Sequence, residues 1–286
     1  MIFTLYNTAK VFADEVTDVL NKHEIQNNLL LKNINIALAA GGINSDFIMA
    51  TVKDDDGKIL LTAIRCMPHP MVMYETDNIR NDTVLEFFTD SLIENGKQVD
   101  FIFTEKALAK SFCDIYGRKI NKSFENNECL VLYILEKVNK LTLPNGNFRN
   151  ATSTDMHFLP YWVADFVPAC NLGGYDINFG IKTAQNLING GQLYIWEDNM
   201  PVSVAASVRQ VTDCIFIGQV YTPPHLRGKS YSTACVASLS QKLINEGWKY
   251  CALYADCANE YSNKVYRSIG YKESFYYDQY RMVAGK

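Results

Sequence analysis

The stretch that decides the fold runs Cys214-Ile-Phe-Ile-Gly-Gln-Val-Tyr-Thr-Pro-Pro-His-Leu-Arg-Gly-Lys-Ser-Tyr-Ser232. Its first part is apolar and rich in β-branched and aromatic residues, which predicts a buried strand. The strand should end at Pro223-Pro224, because proline has no N–H group to continue a ladder. The small, basic segment 227–232 then leads directly into a run, residues 232–246, whose apolar spacing predicts a helix.

A strand, a tight loop of small residues and a helix start together predict a phosphate site. Free backbone N–H groups point out of the first helical turn, and the helix dipole favours an anion there. Two other interpretations compete. A nucleoside-triphosphate P-loop would need glycine five positions before Gly228, and the chain has Pro223 there. The other interpretation is an ordinary turn in which Arg227 and Lys229 are solvated, and the loop alone does not exclude it.

A second segment repeats the pattern of strand and helix. Residues 251–256 are strand-like, and Asn259 is a candidate helix N-cap. Ser262, Val265 and Tyr266 are spaced to lie on the same face of that helix, and Gly270 is a candidate helix end. The sequence therefore predicts a second strand-and-helix pair after the first.

Together the two segments resemble the GNAT superfamily of acyl-CoA-dependent N-acyltransferases. The family's loop pattern, Arg/Gln-x-x-Gly-x-Gly/Ala, corresponds to Arg227, Ser230 and Ser232. Its later pattern, Asn-x-x-Ser/Ala-x-x-x-Tyr-x-x-x-Gly-Phe/Tyr, corresponds in full register to Asn259, Ser262, Tyr266, Gly270 and Tyr271. The resemblance covers about residues 150–286 and looks closest to the branch with glycine N-acyltransferase-like proteins. One departure is that serine stands at both small loop positions, and Ser230 would be strained if the loop needs positive φ there.

The resemblance implies an α/β fold with a mixed sheet and an acetyl-CoA-dependent N-acetyltransferase that acts on a small amine or amino acid by direct attack. Tyr266 is then placed to protonate the CoA sulfur, although a tyrosine that only packs one helix face is the alternative. The residues implied in acetyl-CoA binding are Val220, Tyr221, Thr222, Arg227, Gly228, Lys229, Ser230, Tyr231, Ser232, Asn259, Ser262, Asn263 and Tyr266.

The general base is not identified by the sequence. Many members of the family carry a glutamate on the strand before the loop, and residues 214–221 contain no carboxylate. Four carboxylates are candidates for the general base by their approximate location: Asp165, Glu197, Asp198 and Asp213. The rival function is a non-catalytic CoA-binding or interaction protein, which the serine-substituted loop and the missing carboxylate both favour.

The length of 286 residues fits two domains of ordinary size. We expect the boundary in the polar segment 139–150, which separates domains at residues 1–140 and 150–286. The first half has a similar but less clear order of strands and helices, with strands predicted at 46–52, 59–65 and 71–74. After the third of these, residues 75–82 are acidic and no glycine occurs between Gly57 and Gly96. We therefore predict a degenerate GNAT-like first domain without a cofactor loop.

Composition limits the remaining functions. A net charge of −4 and a pI near 5.6 offer no electrostatic case for nucleic acid. No apolar run approaches a membrane span, and the N-terminus lacks signal-peptide features, so we expect a cytoplasmic protein, monomeric or homodimeric. The eight cysteines form no Cys-x-x-Cys pair and lie in apolar runs, so we expect packing roles and no metal.

Overall fold

The computed structural model describes residues 1–41, 47–78 and 80–283. The chain forms two compact units, one made of residues 1–130 with 275–286 and the other of residues 131–274. Across the described ranges, no helix has both the length and the apolar character that crossing a bilayer requires. The same ranges hold no group of three or more His, Cys, Asp or Glu side chains arranged to hold a metal ion.

The first unit alternates short strands with helices. Its elements in chain order are β1 (Ile2–Leu5), α1 (Ala9–Asn21), α2 (Asn28–Ala39), β2 (Ile48–Lys53), β3 (Ile59–Arg65), β4 (Val72–Glu75), α3 (Asp82–Glu94), β5 (Phe101–Glu105), α4 (Lys106–Ile120) and β6 (Phe124–Leu135), of which β6 continues into the second unit. Strands β1 to β4 are antiparallel neighbours in that order. The predicted hairpin is present, with Gly57 at a φ of +83° in its turn. Asp46, the first residue of the predicted strand, lies outside the described residues.

Strands β4 and β5 meet at a single point. Met71 and Ile102 form an isolated parallel bridge. Past the bridge, the Thr104 hydroxyl bonds to the backbone N–H and carbonyl of Met73, at 3.3 and 2.5 Å. A cavity of about 330 Å³ lies at this place, and Glu75 is part of its lining. The first unit therefore opens between two parallel strands.

The second unit carries the predicted loop. Its elements are β7 (Asn147–Asn150), α5 (Leu159–Ala169), α6 (Ile177–Asn189), β8 (Leu193–Asp198), β9 (Met200–Gln210), β10 (Cys214–Tyr221), α7 (Tyr231–Asn245), β11 (Tyr250–Asp256), α8 (Glu260–Ile269) and β12 (Lys272–Met282), of which β12 ends in the first unit. Strands β7 to β10 are antiparallel neighbours, and β10 pairs with β11 in parallel.

The sheet of the second unit has a separate apolar layer on each face. On β8, Leu193 and Ile195 pack with Val163 of α5, whereas Tyr194 and Trp196 pack with residues of α7 and α8. This alternation follows from the two-residue period of a strand, which sends neighbouring side chains to opposite faces. Helices α5 and α6 therefore cover one face, and α7 and α8 cover the other.

Candidate functional site

Strands β10 and β11 separate before either of them ends. Their parallel pairing runs only from Cys214 opposite Tyr250 to Phe216 opposite Ala252. On its other edge, β10 has an irregular register against β9 between Gly218 and Tyr221. Gln219 has a φ of +51° within this bulge, and neither it nor Val220 has a registered partner in β9 or β11. The end of β10 therefore offers backbone that the sheet does not use.

The loop after β10 has the predicted form of a phosphate site. A single 3₁₀ turn, Pro224–Leu226, follows the strand, and Gly228 has a φ of +79°. Helix α7 begins at Tyr231, one residue earlier than predicted. Its N-cap residue, Ser230, makes no side-chain capping hydrogen bond within the described part of the chain. The N–H groups of the first turn are therefore not occupied by the residue that would normally cap them.

Ser230 itself lies in the left-handed region. Its φ of +60° and ψ of 18° are conformations that glycine adopts freely and that other residues adopt at a cost. The expectation that a serine here is strained is therefore met, because the loop does require positive φ at this position. The loop keeps its shape because the surrounding residues hold it.

A cavity of about 320 Å³ lies between the end of β10, the loop, α8 and the end of α5. Eleven of the thirteen residues implied in acetyl-CoA binding line it. These are Val220, Tyr221, Thr222, Arg227, Gly228, Ser230, Tyr231, Ser232, Asn259, Ser262 and Tyr266. Lys229 and Asn263 are the two that do not. The structure therefore gathers two sequence-distant motifs around one space.

Tyr266 lines this cavity with a buried side chain. The side chain is 8% exposed, and its ring lies 5.9 Å from Tyr133 and 6.0 Å from Tyr271 between centroids. Among the described residues, the hydroxyl has no hydrogen-bond partner. Burial raises the pKa of Tyr266, and neighbouring Cys170 and Tyr133 add to the effect. The hydroxyl therefore stays protonated at neutral pH and is able to donate.

The two asparagines of the second motif have different surroundings. Asn259 caps α8 by accepting a hydrogen bond from the Ser262 N–H at 3.0 Å, as predicted, and it also lines the cavity. Asn263 is 3% exposed, and its Nδ2 donates to the carbonyl groups of Asp256 and Cys257 at 2.9 and 3.3 Å. Its Oδ1 accepts from a buried tyrosine at 3.1 Å. Both ends of the Asn263 amide are therefore bound to the protein.

The cations of the loop also differ. Arg227 lines the cavity, and its Nε donates to the Thr222 carbonyl at 3.0 Å, which holds the exposed guanidinium beside the loop. Lys229 is exposed and lies outside the cavity lining. Arg227 is therefore the loop cation that has a fixed place at the site.

The four candidate carboxylates lie in four different settings. Glu197 pairs with Arg149 at 2.7 Å, and Asp213, at the start of β10, lies 3.6 Å from Lys249. Asp198 accepts a hydrogen bond from the Tyr231 hydroxyl at 2.7 Å. Asp165 accepts one from the Tyr221 hydroxyl at 3.3 Å. Only these last two are joined to tyrosines that line the cavity.

Sequence reasoning missed one wall of the cavity. Phe166, Ala169 and Cys170 line it from the end of α5, and Tyr261 and Val265 line it from α8. Val265 was expected on one face of its helix with Tyr266, and that spacing could have placed it in the wall. The α5 residues carry no motif, and only packing brings them here.

Comparisons with known proteins agree with this geometry. The sequence profile of the family described as FR47-like protein matches residues 199–282. No curated protein sequence matches the chain. Three solved structures match over most of their length. They are a GNAT-family acetyltransferase from Colwellia psychrerythraea (TM-score 0.62, 11% identity, 99% of this chain and 100% of that chain), a GCN5-related N-acetyltransferase from Sphaerobacter thermophilus (0.67, 10%, 98% and 95%) and one from Kribbella flavida (0.55, 12%, 79% and 88%).

At these identities the likeness establishes the fold alone. The chain has a mixed α/β, GNAT-like fold, as predicted. Its two sheets and the eight helices of the described residues are consistent with two GNAT-like domains. The chemistry has to be argued from the site.

Proposed function

We propose that the chain is an N-acetyltransferase that moves the acetyl group of acetyl-CoA directly to the amine of a small molecule or amino acid. The observation that carries the proposal is the cavity bounded by the end of β10, the loop, α8 and the end of α5, where β10 has already separated from β11. The start of α7, which has no side-chain cap, lines this cavity, and so does Tyr266 of α8, whose hydroxyl has no partner among the described residues. We place the chain in the glycine N-acyltransferase-like branch, on the sequence of its strand end and its α8 motif.

Donor binding follows from the charges and the free backbone of the site. The N–H groups at the start of α7 and the Arg227 guanidinium would hold the pyrophosphate, since both favour a negative charge. Ser230 and Ser232 are small enough to let it approach. The unpaired backbone around Val220 would bind the pantetheine arm as an added strand and place an N–H group against the thioester carbonyl.

Catalysis then requires a proton donor for the departing sulfur. Tyr266 fits this role because burial keeps it protonated and because it lines the cavity. Asn259 is placed to contact the pantetheine amides. Asn263 acts indirectly, since its bonds to Asp256 and Cys257 fix the turn that leads into α8.

The domains are proposed as residues 1–140 and 150–286, with donor binding only in the second. The opening between β4 and β5 differs from that between β10 and β11 in what surrounds it. Helix α3 is capped by Asn81, which accepts from the N–H groups of Thr83 and Val84. Glu75 lines the cavity there and pairs with Arg80 at 2.9 Å. A pyrophosphate would meet a carboxylate and a helix start that is already capped.

A second candidate function is a CoA-binding protein without catalysis, which the strained Ser230 and the lack of a carboxylate on β10 favour. Thiol release separates the two. The full chain is incubated with acetyl-CoA and a panel of amines and amino acids, and free CoA is followed over time. Amine-dependent release supports transfer. Calorimetric binding of acetyl-CoA without release from any amine supports the second function, and no binding contradicts both.

A further inference from the structure

Tyr221 and Asp165 join the end of β10 to helix α5. Tyr221 is 6% exposed and lines the cavity, and its hydroxyl donates to Asp165 Oδ2 at 3.3 Å. Trp162, one helical turn before Asp165, has its ring 6.3 Å from the ring of Tyr221. Residues three apart share a helix face, so α5 holds this tyrosine with an aromatic ring and a carboxylate together. Asp165 is half-buried, so solvent can reach it.

The position of this pair differs from that of the other carboxylates. Tyr221 directly follows Val220, where the thioester carbonyl is proposed to bind. The comparable pair, Tyr231 and Asp198, lies at the first residue of α7, where the pyrophosphate is proposed to bind. Asp213 stands before β10, at the other end of that strand. Among the described carboxylates considered, Asp165 is therefore the one coupled to the reacting end of the cavity.

We propose that Tyr221 contacts the acceptor amine and passes its proton to Asp165, an inference that rests on the proposed function. The ammonium donates a proton to Tyr221 Oη while Tyr221 releases its own proton to Asp165 Oδ2. The neutral amine then forms the C–N bond and the C–S bond breaks. Tyr266 protonates the departing thiolate. The second proton that the nitrogen loses replaces the one that Tyr266 has donated. Asp165 returns its proton to solvent, so one proton is released per turnover.

The charges around Tyr221 suit a relay. Burial raises its pKa, and Asp165 raises it further, whereas Arg227 of the loop lowers it. Tyr221 therefore carries a proton at neutral pH and can pass one on only while accepting another. Among the elements packed against α5, helix α6 carries one charged side chain, that of Lys182, which is exposed. The 3₁₀ segment before α5, Ser153–His157, carries exposed His157 and also Asp155, which Arg149 holds at 2.8 Å.

The test compares Asp165→Asn, Asp165→Glu, Tyr221→Phe and the double variant Asp165→Asn/Tyr221→Phe with the wild-type chain. Asp213→Asn is the matched control, since this carboxylate is 54% exposed and outside the cavity. Thiol release gives kcat and KM for an amine from pH 5.5 to 9, and calorimetry gives the Kd of acetyl-CoA. Unchanged Kd shows that each variant is folded at the site.

We expect Asp165→Asn and Tyr221→Phe each to lower kcat about 10- to 100-fold, with acetyl-CoA Kd within about twofold of wild type. The double variant should lose no more than either single variant, because the two residues act in one relay. Asp165→Glu should recover part of the rate that Asp165→Asn loses. Asp213→Asn should behave as wild type.

Three results would overturn the inference. If Asp165→Asn keeps wild-type kcat and pH profile while the wild-type chain acetylates amines, the relay is wrong and the proposed function stands. If the kcat losses of the two single variants multiply in the double variant, Tyr221 and Asp165 have separate roles and the relay is wrong. If the wild-type chain releases no thiol with any amine, the relay and the proposed function both fail.

Discussion

The rings of Tyr133 and Tyr266 lie 5.9 Å apart between centroids, but their hydroxyl groups have different surroundings. The Tyr133 hydroxyl lies 3.1 Å from both Asn263 Oδ1 and Glu273 Oε1. Tyr266 lines the cavity instead, and no described residue bonds to its hydroxyl group. Tyr133 thus belongs to the supporting structure, and Tyr266 is the tyrosine of the pair that can serve a ligand.

Tyr266→Phe should lower kcat at least about tenfold and leave the Kd of acetyl-CoA within about twofold, because it removes a proton donor and keeps the ring. Thiol-release kinetics and calorimetry measure the two effects. The control is Tyr161→Phe, which alters an exposed ring outside the cavity lining and should change neither. Because burial raises the pKa of Tyr266 above its ordinary value of 10.0, its deprotonation should cause no loss of rate below pH 10. Wild-type kcat in the phenylalanine variant would favour a packing role.

Arg227→Glu should weaken acetyl-CoA binding by roughly 2–4 kcal/mol. The change removes a donor and places a negative charge beside the proposed pyrophosphate position, where the guanidinium is now held by the Thr222 carbonyl. Lys249→Glu is the control, since it reverses an exposed cation outside the cavity lining. Isothermal titration calorimetry measures both. Equal affinities in the two variants would contradict the role of Arg227.

Ser230→Gly should stabilise the chain by roughly 0.5–1 kcal/mol, because glycine adopts a φ of +60° without strain. The serine makes no capping hydrogen bond, so none is lost. Ser238→Gly, inside α7, is the opposite control and should destabilise by about 1 kcal/mol through helix propensity. Urea unfolding of the ligand-free chain compares them. A loss of stability in Ser230→Gly would show that the serine contributes a contact of its own.

Asn263→Ala should destabilise the ligand-free chain by roughly 2–4 kcal/mol, since it removes the hydrogen bonds of the buried Asn263 amide to the carbonyl groups of Asp256 and Cys257 and to the Tyr133 hydroxyl. Asn259→Ala should cost only about 1 kcal/mol, the usual effect of losing an N-cap. Denaturant unfolding gives both values. If Asn263→Ala keeps full stability and loses only affinity, Asn263 binds the donor directly.

The full chain should bind one acetyl-CoA, not two. The start of α3 is capped by Asn81, and Glu75 is paired with Arg80 in the cavity of the first unit. Calorimetric stoichiometry tests this in the wild-type chain, and Arg227→Glu serves as the control because it should remove the single binding event. A second event that survives in that variant would place a donor site in the first unit.

The sequence by itself determined the donor side of the site. The loop residues 227–232 and the α8 motif are each contiguous, so their spacing follows from local rules for loops, caps and helix faces. The predicted Asn259 cap and the predicted helix end at Gly270 are both present. Helix α2, by contrast, carried no recognised pattern, because its apolar residues spread over most of its surface.

Only the tertiary structure decided which residues complete the site. Asp165 meets Tyr221 across 56 positions, and Asn263 meets Tyr133 across 130. No sequence period sets such a distance, because it depends on how helices pack against the sheet. The same packing brings Asp165, one of the four carboxylates, to Tyr221, and it binds both ends of the Asn263 amide to the protein. Local chemistry places the loop, and long-range packing supplies the groups around it.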